Sequence, residues 1–191
     1  MTDQHMTRSV RPTKTEIAAA EGKELPDIIT PGLRLLFCGI NPGLYSAAVG
    51  HHFAGPSNRF WKVLHAAGYT ECLLSPDQDH ELLARGYGLT NLVERATAGA
   101  RDLLPAEYVA GRQRLEAKVM RYRPRCVAIL GIGAYRTAFA DRGAALGERE
   151  VGFAGAQLWV LPSPSGLNAH YQLADLTRLF AELHRALAAG G

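Results

Sequence analysis

The chain has 191 residues, of which 47% are hydrophobic, 20% charged and 8% aromatic, and this composition is typical of one globular domain. It contains no run of about 18 apolar residues and its first residues lack the apolar segment of a secretory signal, so we expect no transmembrane helix and predict a cytoplasmic protein. The formal net charge of +3 is too small to indicate a nucleic-acid partner by itself.

Residues 1–30 are predicted to be a flexible tail, because most of them are polar, balanced in charge and without periodicity. The remaining residues, 31–191, form a single predicted domain. Within it, four short apolar runs predict buried strands at 33–40, 87–93, 126–130 and 158–161. Helical spacing predicts helices at 58–67, 105–122, 134–142 and 171–188. This alternation favours an α/β fold, a three-layer sandwich whose central, mostly parallel sheet is flanked by helices.

The three cysteines are too few and too scattered to hold a metal cluster. Cys38, Cys72 and Cys126 lie far apart in the sequence, whereas an iron–sulfur cluster needs four cysteines and a structural zinc site needs closely spaced pairs. His51 and His52 are adjacent, but no matching group of ligands follows them. We therefore predict free thiols and no metal.

Two loops at the carboxyl ends of predicted strands have an unusual composition, and ligands of such folds bind at that edge of the sheet. GINPG follows the first strand at 39–43, where Pro42 keeps Asn41 out of helical geometry and the glycines allow a close approach to the backbone. PSPSGLN follows the last strand at 162–168. Either loop alone is compatible with a simple turn. Together with PSNRFW at 56–61, they indicate a binding cleft.

These segments resemble those of a known family. GINPG at 39–43, FAGPSNRFWK at 53–62, TNLVER at 90–95 and LPSPSGL at 161–167 look like the motifs of the mismatch-specific uracil and thymine DNA glycosylases, within the uracil-DNA glycosylase superfamily. The resemblance covers residues 31–187. It implies a monomer that flips uracil out of G·U mismatches in double-stranded DNA and removes it by hydrolysis, without a cofactor or metal.

The resemblance also implies roles for individual residues. Asn41 orients the attacking water, Phe53 stacks on the flipped base, and Leu167 fills the gap left in the duplex. Gly166 allows close approach to the strand, and Ser46 lies near the C5 edge of the pyrimidine. The other candidates for contact with the base are Ile40, Gly43, Asn91 and Ser163, and those for contact with the DNA strands are Ser165, Asn168, Arg59 and Lys62.

These residues predict slow removal of the base and weak discrimination among pyrimidines. An amide cannot take up a proton near neutral pH, so Asn41 cannot be a general base, and the reaction relies on positioning and on stabilising the leaving group. Glu94 is a hypothetical carboxylate that assists catalysis, although pairing with a neighbouring arginine is the commoner role of such a residue. Ser163 stands where bacterial relatives carry Asn and the thymine-specific branch carries Ser, which predicts a relaxed choice among pyrimidines.

One basic stretch has two interpretations. Residues 112–125 carry six cations and a single acid, Glu116. A solvated helix face is favoured over contact with DNA phosphates, because charge runs usually lie in solvent.

The chain lacks the motifs that define two other enzyme classes. Gly131 and Gly133 follow a predicted strand, as in dinucleotide-binding loops, but position 136 is Arg where that motif has its third glycine. The HxE and PCxxC pairs of zinc deaminases are absent. The alternative that stays open is a noncatalytic module that binds damaged DNA, because a decayed active site also shows an Asn in place of an acid.

Overall fold

A five-stranded sheet lies at the centre of the structure, a computed structural model that describes residues 11–190. The strands are β1 (Leu35–Gly39), β2 (Tyr87–Asn91), β3 (Cys126–Leu130), β4 (Gly147–Glu148) and β5 (Gln157–Leu161). Their spatial order is β2-β1-β3-β5-β4; β4 is antiparallel to β5, and the other neighbours are parallel. All residues of β1, β2 and β3 are buried, as expected for strands that helices cover on both faces.

Helices pack on both faces of this sheet. On one face, Phe37 of β1 belongs to the same buried cluster as Phe60 and Phe180; on the other, Leu36 belongs to a cluster with Leu115. Neighbouring residues of a strand point to opposite faces, so β1 contributes to both clusters. In the described part of the chain, no helix is long and apolar enough to cross a membrane. The helices are α1 (Lys14–Ala18), α2 (Leu44–Val49), α3 (Phe60–Ala66), α4 (Glu81–Ala84), α5 (Pro105–Tyr122), α6 (Ile132–Ala138) and α7 (Leu173–Ala189).

The predicted three-layer α/β sandwich is confirmed, and each predicted strand and helix is present with ends shifted by a few residues. The sequence does not predict six short elements, namely α1, α2, α4, β4 and the 3₁₀ helices at Pro76–Gln78 and Ala100–Asp102. None of them has more than six residues, which is too short for a helical or alternating pattern to stand out.

The predicted boundary at residue 31 is wrong for the part of the N-terminal segment that the structure describes. Residues 1–10 lie outside it. From α1 onward the segment packs against the domain: Leu25 is buried, and Ile28 pairs with Leu89 of β2 through two backbone hydrogen bonds. The carboxylate of Asp27 lies 2.7 Å from the ammonium group of Lys118 on α5. Contacts with distant residues therefore order a segment whose local sequence is polar.

The thiols differ sharply in accessibility, which gives a first prediction. Cys38 and Cys126 are buried strand residues, and burial raises the pKa of each thiol to about 12, whereas Cys72 is exposed. Because the thiolate is the reactive form, we expect an aromatic disulfide reagent at pH 8 to modify one thiol per native chain and three after denaturation. Cys72→Ser should reduce the native count to zero. Rapid native modification of more than one thiol would contradict the burial of these strands.

Candidate active site

A cleft opens at the carboxyl ends of the parallel strands, where the β1–α2 loop meets the β5–α7 loop. Its volume is about 440 Å³, within the roughly 300–1,000 Å³ range of small-molecule sites. The two loops singled out in the sequence thus line one cleft. The predicted site residues that line it are Ile40, Asn41, Gly43, Ser46, Phe53, Asn91, Ser163, Ser165, Gly166 and Leu167.

The amide of Asn41 has a fixed orientation. Its Nδ2 donates to the carbonyl oxygen of Arg95 at 3.1 Å and to Oγ1 of Thr97 at 2.7 Å. A carbonyl only accepts, and the Thr97 hydroxyl donates its own hydrogen to the carbonyl of Gly99 at 2.9 Å, so only an NH₂ group fits on this side. The carbonyl oxygen of Asn41 is therefore left as a hydrogen-bond acceptor for the cleft.

The segment that accepts these hydrogen bonds is itself held in place. Gly22 and Lys23 exchange backbone hydrogen bonds with Ala96 at 2.9 and 2.8 Å. The guanidinium of Arg95 binds the carboxylate of Glu107 on α5 at 2.6 Å, and this hydrogen bond lowers the pKa of Glu107 to about 2. The N-terminal segment, which the sequence predicts to be a tail, thus supports the acceptors that orient the Asn41 amide.

Phe53 forms a wall of the cleft next to the end of β1. Its ring stacks on the buried Phe60, with centroids 4.0 Å apart and planes 22° apart. Its φ of 54° lies in the left-handed region, which is costly for a residue with a Cβ and is maintained by the surrounding fold. A Cβ at Gly39 would lie 3.2 Å from the Phe53 ring and 2.6 Å from Oδ1 of Asn91. Glycine at position 39 therefore leaves room for both the Phe53 ring and the Asn91 amide next to the backbone of β1.

The Phe53 loop is anchored at both ends. On one side the Ser46 hydroxyl of α2 is buried and accepts a hydrogen bond from the backbone N–H of Ala54 at 3.0 Å. On the other side the buried carboxylate of Asp79 accepts from the backbone N–H of His52 at 3.2 Å. These bonds fix the ring before any ligand is present.

Leu167 stands at the tip of the β5–α7 loop. Leu167 is 79% exposed. The loop below it is ordered: the Leu167 N–H donates to Oγ of Ser165 at 3.2 Å, and the Asn168 amide donates to the Ser163 carbonyl at 2.9 Å. A Cβ at Gly166 would lie 2.5 Å from the Ser57 side chain, so this glycine brings the loop directly against residue 57.

Glu94 does not line this cleft, which contradicts its hypothetical role in catalysis and agrees with charge pairing, the commoner role of such a residue. Its carboxylate lies 3.4 Å from the guanidinium of Arg114 and 3.3 Å from the ammonium of Lys118. Charge pairing turns the side chain toward α5. Among the described residues, no carboxylate, histidine, lysine, arginine or cysteine lines the cleft, and no three histidine, cysteine or acidic side chains converge to hold a metal.

Arg59 also departs from its expected contact with DNA. Its guanidinium donates to backbone carbonyls of the β5–α7 loop. Asn168, another predicted DNA contact, uses its amide inside the same loop. Lys62 is exposed on α3 and does not line the cleft.

The basic stretch at 112–125 is largely engaged in structural contacts. Arg112 lies over the rings of Phe139 and Phe153, at 5.1 and 5.8 Å from their centroids. Lys118 and Arg114 form the ion pairs described above, and Arg125 donates to the carbonyl of Gly190. These contacts agree with the interpretation of the stretch as a helix face rather than a DNA-binding patch.

Sequence reasoning missed several lining residues, above all Thr97, Ile17 and Tyr45. Thr97 is buried and contacts Asn41 across 56 positions of the chain. Nothing in its neighbouring sequence marks it as a site residue. Its place eight positions before the predicted α5 and two before Gly99 is compatible with any loop.

Comparison with known proteins agrees with this architecture. The family model described as the uracil DNA glycosylase superfamily matches residues 26–188. A solution NMR structure of a Methanosarcina acetivorans protein that carries the provisional name uracil DNA glycosylase shares 17% sequence identity with the chain, covers 87% of it and 98% of its own length, and superposes with a TM-score of 0.57. At that identity the likeness shows a shared fold, whereas the family match extends over most of the sequence. The chain therefore belongs to the uracil DNA glycosylase superfamily.

Proposed function

We propose that the protein is a monofunctional DNA glycosylase that flips uracil out of G·U mismatches in double-stranded DNA and hydrolyses its glycosidic bond, acting as a monomer without a cofactor. The observation that carries the proposal is the fixed amide of Asn41, whose carbonyl oxygen faces an uncharged cleft. Membership of the superfamily supports the reaction type.

Different cleft residues contribute to separate steps of base removal. A base inside a duplex must leave the stack before its bond to the sugar is reachable. Leu167 fills the gap, and Phe53 offers a flat apolar face to the flipped base. The glycosidic bond then breaks with its electron pair leaving on uracil, and the sugar becomes cationic. A water that donates to the Asn41 carbonyl oxygen attacks the sugar carbon and loses its proton to solvent, which leaves an abasic site.

The choice of base is expected to be relaxed. Ser163 carries a short side chain, and its hydroxyl accepts a hydrogen bond from the N–H of Ser165 at 3.3 Å. It therefore reaches less far toward a base edge than the longer amide of Asn. Other damaged pyrimidines, and thymine opposite guanine, are accordingly included in the proposed substrate range.

The proposal is tested by a single-turnover assay on duplexes that hold one G·U, A·U or G·T pair, followed by alkali to cut abasic sites. Cleavage of the G·U duplex, with slower cleavage of A·U, is the expected result, because a weakly paired base costs less to flip. Equal rates on G·U and A·U would refute the mismatch preference. Binding without cleavage of any duplex would refute the glycosylase and favour a noncatalytic damage-binding module.

The uncharged cleft predicts an unusual pH profile. Because none of the described ionisable groups that titrate between about pH 5 and 9 lines it, the single-turnover rate on G·U should change by less than about threefold between pH 6 and 8.5. A side-chain base would instead give about a tenfold change per pH unit below its pKa. Enzyme inactivation is excluded by returning samples from each pH to pH 7.5 before assay. A sigmoidal rise with a midpoint near pH 6.5 would reveal a titrating catalytic group.

A further inference from the structure

Arg59 lies immediately before α3, and its side chain reaches across to the β5–α7 loop. Its Nε donates to the carbonyl of Pro164 at 3.3 Å, and one terminal nitrogen donates to those of Ser165 at 2.7 Å and Asn168 at 3.0 Å. The other terminal nitrogen donates to the carbonyl of Tyr171. One guanidinium thus binds four carbonyls of a single loop, on both sides of its tip.

We propose that Arg59 is a positioning residue that holds the β5–α7 loop, and with it Leu167, in the shape that enters the DNA stack. The loop contains no helix or strand between Leu161 and Leu173, so many of its carbonyls depend on partners outside regular structure. Charge-assisted hydrogen bonds from one planar group are stronger than neutral ones and fix direction as well as distance. The role of the loop in DNA binding rests on the proposed function, whereas the hydrogen bonds of Arg59 do not depend on it.

The exposure of Leu167 explains why such a clamp is needed. A residue that is 79% exposed is positioned little by packing, so the loop backbone must set the position of the Leu167 side chain. If the loop were disordered in the free protein, ordering it on DNA would cost conformational entropy and weaken insertion. The close contact of Gly166 with Ser57 and the 3.0 Å hydrogen bond from the Arg59 N–H to the Pro164 carbonyl seat the loop on the segment that carries Arg59.

A role in phosphate binding is disfavoured by the same contacts. The guanidinium has five N–H donors, and four loop carbonyls already accept from it. Lysine has a compact ammonium group that cannot reproduce the fork. Arg59→Lys therefore keeps the positive charge and removes the planar fork of N–H donors, while Arg59→Gln removes both the charge and the fork.

The first test follows hydrogen exchange of the free protein, which does not depend on catalysis. In Arg59→Lys we expect amides of residues 165–172 to exchange faster than in the wild type, with β1 and β3 unchanged. Unaltered exchange in the loop would overturn the clamp. Exchange that accelerates equally throughout the sheet would also overturn it, because it would show a general loss of stability. If Arg59→Gln fails to fold, Arg59→Lys alone carries this test.

The second test is a double-mutant cycle with Leu167→Ala on the G·U duplex. Arg59→Lys should slow single-turnover cleavage roughly tenfold, a loss expected for charge-assisted hydrogen bonds. In the Leu167→Ala background, the same substitution should slow cleavage by less than about twofold further. Fully additive losses would overturn the link to Leu167. DNA affinity is also measured at a series of salt concentrations. If the slope of log affinity against log salt decreases by about one in Arg59→Gln, the residue contacts a phosphate instead. If the wild type cleaves no duplex, the proposed function fails; the same cycle is then read from duplex affinity, and the exchange test still decides the clamp.

Discussion

Asn41→Ala should release uracil from a G·U duplex at least about 100-fold more slowly than the wild type under single-turnover conditions, while its affinity for the duplex changes little. The amide is held by Arg95 and Thr97, and its carbonyl oxygen is directed to the cleft. Removing it leaves the attacking water unplaced but takes nothing from the faces that contact DNA. The measurement pairs the cleavage rate with fluorescence anisotropy on the same labelled duplex.

Two further variants separate orientation from mere presence of the side chain. Asn41→Asp turns a carboxylate oxygen toward the Arg95 carbonyl, where two acceptors repel each other, so we expect it to stay slow although a carboxylate is a stronger base. Thr97→Val keeps the volume and removes one acceptor of the amide, and its rate should lie between those of the wild type and Asn41→Ala. Wild-type rates in Asn41→Ala would remove this residue from the mechanism.

The sheet and the main helices could be predicted because their signals are local. A strand covered on both faces reads as a continuous apolar run, and all of β1 to β3 is buried. The two site loops could also be found, because parallel strands place their carboxyl ends at one edge of the sheet. The convergence of Asn41 with Leu167 follows from that topology.

Residues whose role depends on distant partners could not be predicted. Thr97 matters through a hydrogen bond across 56 positions, and Ile28 is buried where it pairs with Leu89 of the edge strand β2. Charged residues were the least predictable. From the sequence, Arg59 is a candidate for DNA contact, but the structure pairs it with loop carbonyls. For Glu94 the sequence favours charge pairing over catalysis, and the structure shows that pairing with two cations of α5 that lie 20 and 24 positions away. Which partner a long charged side chain meets is decided by the tertiary structure rather than by its neighbours in sequence.

Phe53→Ala should weaken cleavage of the G·U duplex by about 5- to 150-fold, the loss expected when a stacked base loses an aromatic partner worth about 1–3 kcal/mol. The ring lies between the cleft and the buried Phe60, so the substitution also removes some packing.

Phe53→Leu is the matched control: it keeps apolar volume against Phe60 but offers no flat face. If stacking dominates, Phe53→Leu should regain most of the lost thermal stability and little of the lost cleavage. The two effects are measured by thermal unfolding and by single-turnover rates at a series of enzyme concentrations. Recovery of cleavage in proportion to stability would mean that Phe53 only supports the core, and an unaffected Phe53→Ala enzyme would place the flipped base elsewhere in the cleft.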